Sequence, residues 1–256
     1  MPGSGDCWSG RWNEYSVLLD EFRQDAEERS DLNTLALYLM NRSPLRLAED
    51  NIEQAKLDLI EAERILADAW TGQGFHVPHF FGIMSRTALA LYSGDTTEGL
   101  NRLTRKLPQV RKSFLHRVEL IAMLSLFTEA TLAIFCAVDG TGRPKNSSGL
   151  LRRALMCAVR IRGRSAIWAP GLAMMIEAAV ESAVGRLDEA SARWSDAESE
   201  LNRAGMASFA ASASYARGRV TRNLELVNGA EDFLRQRGIV CVSRFARTLV
   251  PGISCV

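Results

Sequence analysis

Apolar residues recur along nearly the whole chain at steps of three and four, with almost no strand-like alternation, and that spacing predicts α-helices almost everywhere. Trp194 belongs to a clear example. With Ala190, Ala197 and Leu201 it forms an i, i+4, i+7, i+11 stripe, while Arg193, Asp196 and Glu200 occupy other faces. Similar stripes run through Phe80, Ile83, Thr87 and Leu91, and through Leu120, Leu124, Phe127, Thr131 and Ile134. Each stripe predicts a helix that buries one face against a neighbour.

The interruptions are as regular as the stripes. Helix-breaking positions fall at Glu49-Asp50-Asn51, Gly94-Asp95, Asp139-Gly140 and Gly185-Arg186, spaced by about 45 residues. A second set, at residues 71–74, residues 111–113, Gly163 and Gly205, divides each period into two helices. Shifting the chain by 91 residues, two periods, lays Ala88 on Ala179, Gly94 on Gly185, Glu98 on Glu189 and Gly99 on Ala190. Small side chains at such positions let helices of adjacent hairpins approach closely. A glycine at the turn can take the left-handed conformation that ends a helix.

The expected fold is therefore all-α, with stacked antiparallel helical hairpins in the manner of a tetratricopeptide-like (TPR-like) α-solenoid. The period is longer than the usual ~34 residues, and the Trp-Leu-Gly-Tyr signature is not intact. The expected organisation is a disordered N-terminus over residues 1–10 and a repeat array over 11–205. A turn-rich loop insertion at 139–149 interrupts the array, and capping helices over 206–256 end with Pro251-Gly252.

One stripe invites a membrane reading, because residues 120–138 form a nearly continuous apolar run of 19, close to spanning length. Glu129 stands in its middle. A carboxylate there would be costly in lipid, and Ser125, Thr128 and Thr131 dilute the run further, so a buried helix of a soluble protein is expected instead.

Composition adds constraints rather than a function. The chain has 256 residues, 47% hydrophobic and 24% charged, a balance that folds and is too apolar for wholesale disorder. Its 31 basic and 30 acidic side chains leave a formal charge of +1, so no global field draws it to nucleic acid or anionic lipid. Five cysteines (Cys7, Cys136, Cys157, Cys241, Cys255) are odd in number and widely spaced, unlike a disulfide framework or a zinc site. The first ten residues lack the layout of a secretory signal, and a cytoplasmic location is expected.

Known catalytic signatures fail one by one. The glycine-rich 140–145 stretch lacks the second glycine beside Lys145 and the following Ser or Thr of a P-loop, and Pro144 removes an amide that a phosphate cradle would use. Gly72 and Gly74 precede a predicted helix without a leading strand, which speaks against a dinucleotide site. His76 and His79 have the spacing to share a helical face, yet neither a carboxylate nor a cysteine lies beside them, and packing or capping is the expected role. His116-Arg117 is followed by Val118, and Asp232-Phe233 by Leu234, so the protein-kinase catalytic-loop and metal-loop motifs are both missing. No Gly-x-Ser-x-Gly elbow is present, and the cysteines have no His partner in the sequence. No catalytic, cofactor-binding or metal residue is therefore expected.

Basic residues cluster at Arg102, Arg105, Lys106, Arg111 and Lys112, and again at Arg152, Arg153, Arg160, Arg162 and Arg164. Such runs usually form a solvated helix face. A nucleic-acid footprint wants a more basic domain with a groove-reading motif, whereas an acidic peptide or a neighbouring domain could use the same face.

Several short segments occur in an order that has a parallel. They are Leu45-Arg-Leu-Ala-Glu-Asp50, Gly74-Phe-His-Val-Pro-His-Phe80, Ala90-Leu-Tyr-Ser-Gly-Asp95, Leu150-Leu-Arg-Arg, Gly205-Met-Ala, and the closing stretch from Gly238 to Pro251-Gly252. In this order they resemble the C-terminal TPR-like region of large bacterial serine/threonine protein kinases, over residues 11–252. The resemblance implies a scaffold or sensor region, with ATP, magnesium and phosphoryl transfer belonging to a kinase domain outside this chain. It carries no catalytic residue over. A detached fragment, a misassigned gene start and a stand-alone adaptor all fit it.

The expected function is thus a non-enzymatic interaction module for a protein or peptide, a kinase domain among the candidates, with no cofactor, nucleic acid or membrane. Two alternatives stand beside it: the helical sensor region of a P-loop ATPase-type transcription regulator, and a stand-alone metal-binding or enzymatic helical domain built around His76 and His79.

Overall fold

A computed structural model describes residues 10–69, 74–138 and 147–252. Residues 1–9, most of the expected loop at 139–149, Gly72 of the Gly-x-Gly pair, and Cys7 and Cys255 lie outside the described residues. Residues 147–149, the end of the expected loop, are helical.

The described residues are helical throughout their regular structure, with no strand among them. In chain order the helices are α1 (Trp12–Glu28), α2 (Leu32–Ala48), α3 (Ile52–Ala69), α4 (Val77–Ser93), α5 (Thr96–Lys112), α6 (Glu119–Val138), α7 (Ser147–Arg162), α8 (Ala169–Ala183), α9 (Leu187–Arg203), α10 (Ala207–Thr221), α11 (Leu224–Arg235) and α12 (Val242–Leu249). A 3-10 turn, Phe114–Arg117, links α5 to α6.

The turns follow local chemistry. Asp31 accepts from the Asn33 and Thr34 amides at 3.0 and 3.2 Å, which satisfies free donors at the start of α2. Thr34 Oγ1 donates to the same carboxylate at 2.6 Å, and this bond leads the effects that hold the Asp31 carboxyl below its ordinary range. Gly94 and Gly185, matched in sequence by the 91-residue shift, both adopt left-handed backbone at the end of a helix, with φ of 88° and 81°.

Consecutive helices pack against each other, and a second set of contacts joins α2 to α4, α4 to α6, and α6 to α8. These even-numbered helices make one row. α3, α5, α7 and α9 make a second row, each laid against its neighbours in the first. The predicted stripe of α9 is buried: Trp194 is 1% exposed, and Ala190, Ala197 and Leu201 are fully covered. Burying a side chain of that size contributes about 3 kcal/mol.

α6 runs through the middle of the first row. By length and composition it is the one described helix that could cross a membrane, yet two thirds of its apolar window (67%) is covered by the rest of the protein. Phe127 of α6 packs edge-on against Phe209 of α10, with ring centroids 5.9 Å apart. Its apolar surface is thus core surface.

The C-terminal segment folds back across the first row. α12 packs on α4, α10 and α11. The Val240 amide donates to the Ala48 carbonyl at 2.8 Å, Arg244 reaches Asp50 at 3.1 Å, and the Phe245 ring meets Trp12 of α1 at 5.4 Å. Tyr92 of α4 also donates to Asp50, at 2.7 Å, and burial together with this bond pushes its phenol well above the ordinary range. Asp50, itself in left-handed backbone at φ 56°, therefore ties the turn between α2 and α3 to α4 and α12.

Candidate functional site

In the second row, helices are separated by gaps, and two of the three gaps are closed the same way. Between α5 and α7, Glu129 of α6 rises from the floor and accepts from Arg153 of α7 at 2.7 Å and from Arg111 of α5 at 3.4 Å. Arg153 also donates to Thr104 of α5 at 3.3 Å. Between α7 and α9, Glu177 of α8 accepts from Arg162 of α7 at 2.6 Å and pairs with Arg193 of α9 at 3.1 Å. In both gaps a largely buried carboxylate clamps arginines from the two flanking helices. Charge-assisted pairs of this geometry are the stronger kind of hydrogen bond.

The gap between α3 and α5 is built differently and stays open, as a cavity of about 610 Å³. That size suits a small ligand or a few side chains of a partner. Its floor is a face of α4, where His79, Gly82, Ile83 and Arg86 follow at i, i+3, i+4 and i+7, with Met40 of α2 beneath. The absence of a side chain at Gly82 matters here, since a Cβ would meet Met40 Cε at 3.1 Å. One wall is Glu63 and Leu66 of α3. The opposite wall is Arg102, Arg105, Lys106 and Gln109 of α5, again at i, i+3, i+4 and i+7. The stripe that anchors α5 to the core, Leu103, Leu107 and Val110, lies on another face and is buried.

The walls of this cavity are unequal in charge. Arg86 forms a two-pronged pair with Glu63 at 2.8 and 2.7 Å. Arg102 and Arg105 share one carboxylate, Glu98, at the longer distances of 3.8 and 3.4 Å. Lys106 makes no ion pair with any described residue. The imidazole of His79 is depressed in pKa, first by burial and then by the charges of His76 and Lys106. Apolar lining from Leu66 and Ile83 beside a surplus of cations favours an anionic group carried on apolar surface.

The candidates from the sequence are distributed as follows. His76 and His79 do come together, with ring centroids 5.9 Å apart, but the His76 amide donates to His79 Nδ1 at 3.1 Å in a capping arrangement at the start of α4. Among the described residues no three His, Cys, Asp or Glu side chains converge as a metal ion requires. The two basic clusters split in use. Arg111, Arg153 and Arg162 are spent on the internal clamps, whereas Arg102, Arg105 and Lys106 line the cavity. Cys157 is buried, and desolvation pushes its thiol up to about 12, which leaves it a poor nucleophile.

Sequence reasoning missed Arg86, Met40 and Gly82. Arg86 carries the one signal that could have found it: the 91-residue shift that aligns the helix turns also lays Arg86 on Glu177, and Arg102 on Arg193. A second, smaller cavity of about 180 Å³ between α1 and α2 has mixed charge, from Arg42, Arg46, Asp20 and Glu49.

Compared with protein-family models, curated proteins and solved structures, the chain matches none.

Proposed function

We propose that this chain is a non-catalytic protein-interaction module, a TPR-like α-solenoid of about four hairpins closed by its C-terminal helices. In this reading it plays the part of the helical C-terminal region of a bacterial serine/threonine protein kinase, which its short motifs resemble, and it works in the cytoplasm. Its partner is a protein or peptide, a kinase domain among the candidates.

The observation that carries the reading is the cavity between α3 and α5. It lies between faces of α3 and α5 over a face of α4, in a row whose other two gaps are closed by ion clamps. Repeat arrays bind through surfaces that run across neighbouring units, and a groove framed by α3, α4 and α5 is such a surface.

Panning two independent random peptide libraries on the folded protein tests this. The module reading expects a convergent motif whose synthetic peptide binds one to one. Failure to enrich any common motif from either library counts against it.

A further inference from the structure

The internal repeat indicates what the open gap lacks. Glu177 stands on the floor between α7 and α9 and holds a cation from each side, Arg162 and Arg193. Two periods earlier the corresponding residues are Arg86 on the floor and Arg102 on the wall, so a carboxylate-arginine pair has become arginine facing arginine. Glu63 neutralises Arg86 from the α3 side only. On the α5 side Glu98 serves two arginines at long range, and Lys106 is left over. A carboxylate on the floor that reaches cations of both flanking helices is what the other gaps have and this one does not.

We infer that the groove between α3 and α5 binds an acidic peptide segment. Its carboxylates sit between Arg86, Arg102 and Lys106, where Glu177 sits in the later gap, and an apolar side chain rests on Ile83. This rests on the interaction-module reading and adds the chemistry of the partner. A peptide fits better than a lone organic acid because the polar wall from Arg102 to Gln109 runs along two turns of α5, about 10 Å, or about three residues of extended chain. Several carboxylates in sequence can use that length. The apolar part of the lining supplies affinity, and the cations supply orientation and rate of encounter.

The test is fluorescence anisotropy with the labelled hexapeptide Glu-Phe-Glu-Glu-Leu-Glu, its counterpart with Gln at every Glu, and the small acid 4-phenylbutyrate as competitor. The full chain and the variants Arg86→Glu, Lys106→Glu and Arg235→Glu are compared, with circular dichroism confirming that each is folded. Lys106 is exposed on α5, so reversing its charge leaves the core untouched. The Glu peptide should bind at least about tenfold more tightly than the Gln peptide, and binding should weaken as salt screens the cations. Arg86→Glu and Lys106→Glu should each lower affinity several-fold, and Arg235→Glu on α11 should leave it unchanged.

Equal binding of the two peptides overturns the proposal, as does Glu-peptide binding that ignores both groove variants. Either result leaves the module reading standing if library panning yields a neutral motif. Displacement of the peptide by 4-phenylbutyrate at equal concentration overturns the assignment of a peptide in favour of a small organic acid.

Discussion

The clamp at Glu129 offers a quantitative test of how the second row is held. Its carboxylate is buried, with 8% of its side chain exposed, while Arg153 and Arg111 keep 32% and 57% exposure. The two sides of the pair should therefore respond unequally. In Arg153→Ala the carboxylate loses its 2.7 Å donor and keeps only the 3.4 Å contact from Arg111. Leaving a buried charge without its partner costs about 3–5 kcal/mol. The remaining arginine and the partial exposure of Arg153 reduce this to about 2–3 kcal/mol. Glu129→Gln keeps the shape and an acceptor oxygen, and both arginines can turn to water, so about 1 kcal/mol is expected. In the double variant the neutral amide no longer needs Arg153, so the combined loss should fall short of the sum by about 1 kcal/mol. Urea denaturation followed by helical circular dichroism reads all three. The reasoning fails if Arg153→Ala costs no more than Glu129→Gln, or if the two losses simply add.

Four further outcomes follow from the surroundings of individual residues. Gly218→Ala should destabilise by about 1–3 kcal/mol, because its Cβ would stand 2.9 Å from the Val227 amide nitrogen and 3.0 Å from the Asn223 carbonyl, backbone that cannot step aside. Gly229→Ala in the exposed middle of α11, with nothing within 4 Å, should stabilise by about 0.5–1 kcal/mol; thermal melts of the two variants should move in opposite directions. The depressed pKa of His79 means that the unfolded chain binds its proton more readily. Stability from this group is thus complete above the ordinary value of 6.5 and is lost as pH falls through and below it, and His79→Gln should flatten that part of the urea-midpoint profile. In native protein treated with iodoacetamide at pH 8, peptide mapping should find half-buried Cys241 alkylated well before Cys157, whose thiol lies near 12; equal labelling would contradict the burial of α7.

The helices were legible because their signal is local. The stripe of Trp194 needs only residues within three turns, and the turn glycines need only their own backbone. What joins the helices was less so. Glu129 reads in sequence as an argument against a membrane, and nothing near it says that its partners stand 18 residues before and 24 after. The return of α12 to α4 depends on pairs such as Arg244 with Asp50, 194 residues apart, which no short window contains. The basic cluster on α5 was visible, but its division into clamp and groove residues depends on helix rotation: Arg111 faces α6, whereas Arg102, Arg105 and Lys106 face α3 across the cavity. The charge reversal at Arg86 was available from the repeat register, although it has meaning only once Glu177 is seen between two arginines.

The proposed partner segment docks between α3 and α5. Amide shift mapping by NMR of the isotopically labelled chain, titrated with the Glu-Phe-Glu-Glu-Leu-Glu peptide, tests it most directly. The largest shifts should cluster at residues 82–86 of α4 and 102–109 of α5, and they should vanish in Lys106→Glu. Saturating shifts centred instead on α8 and α9, where Glu177 already fills the gap, would contradict it.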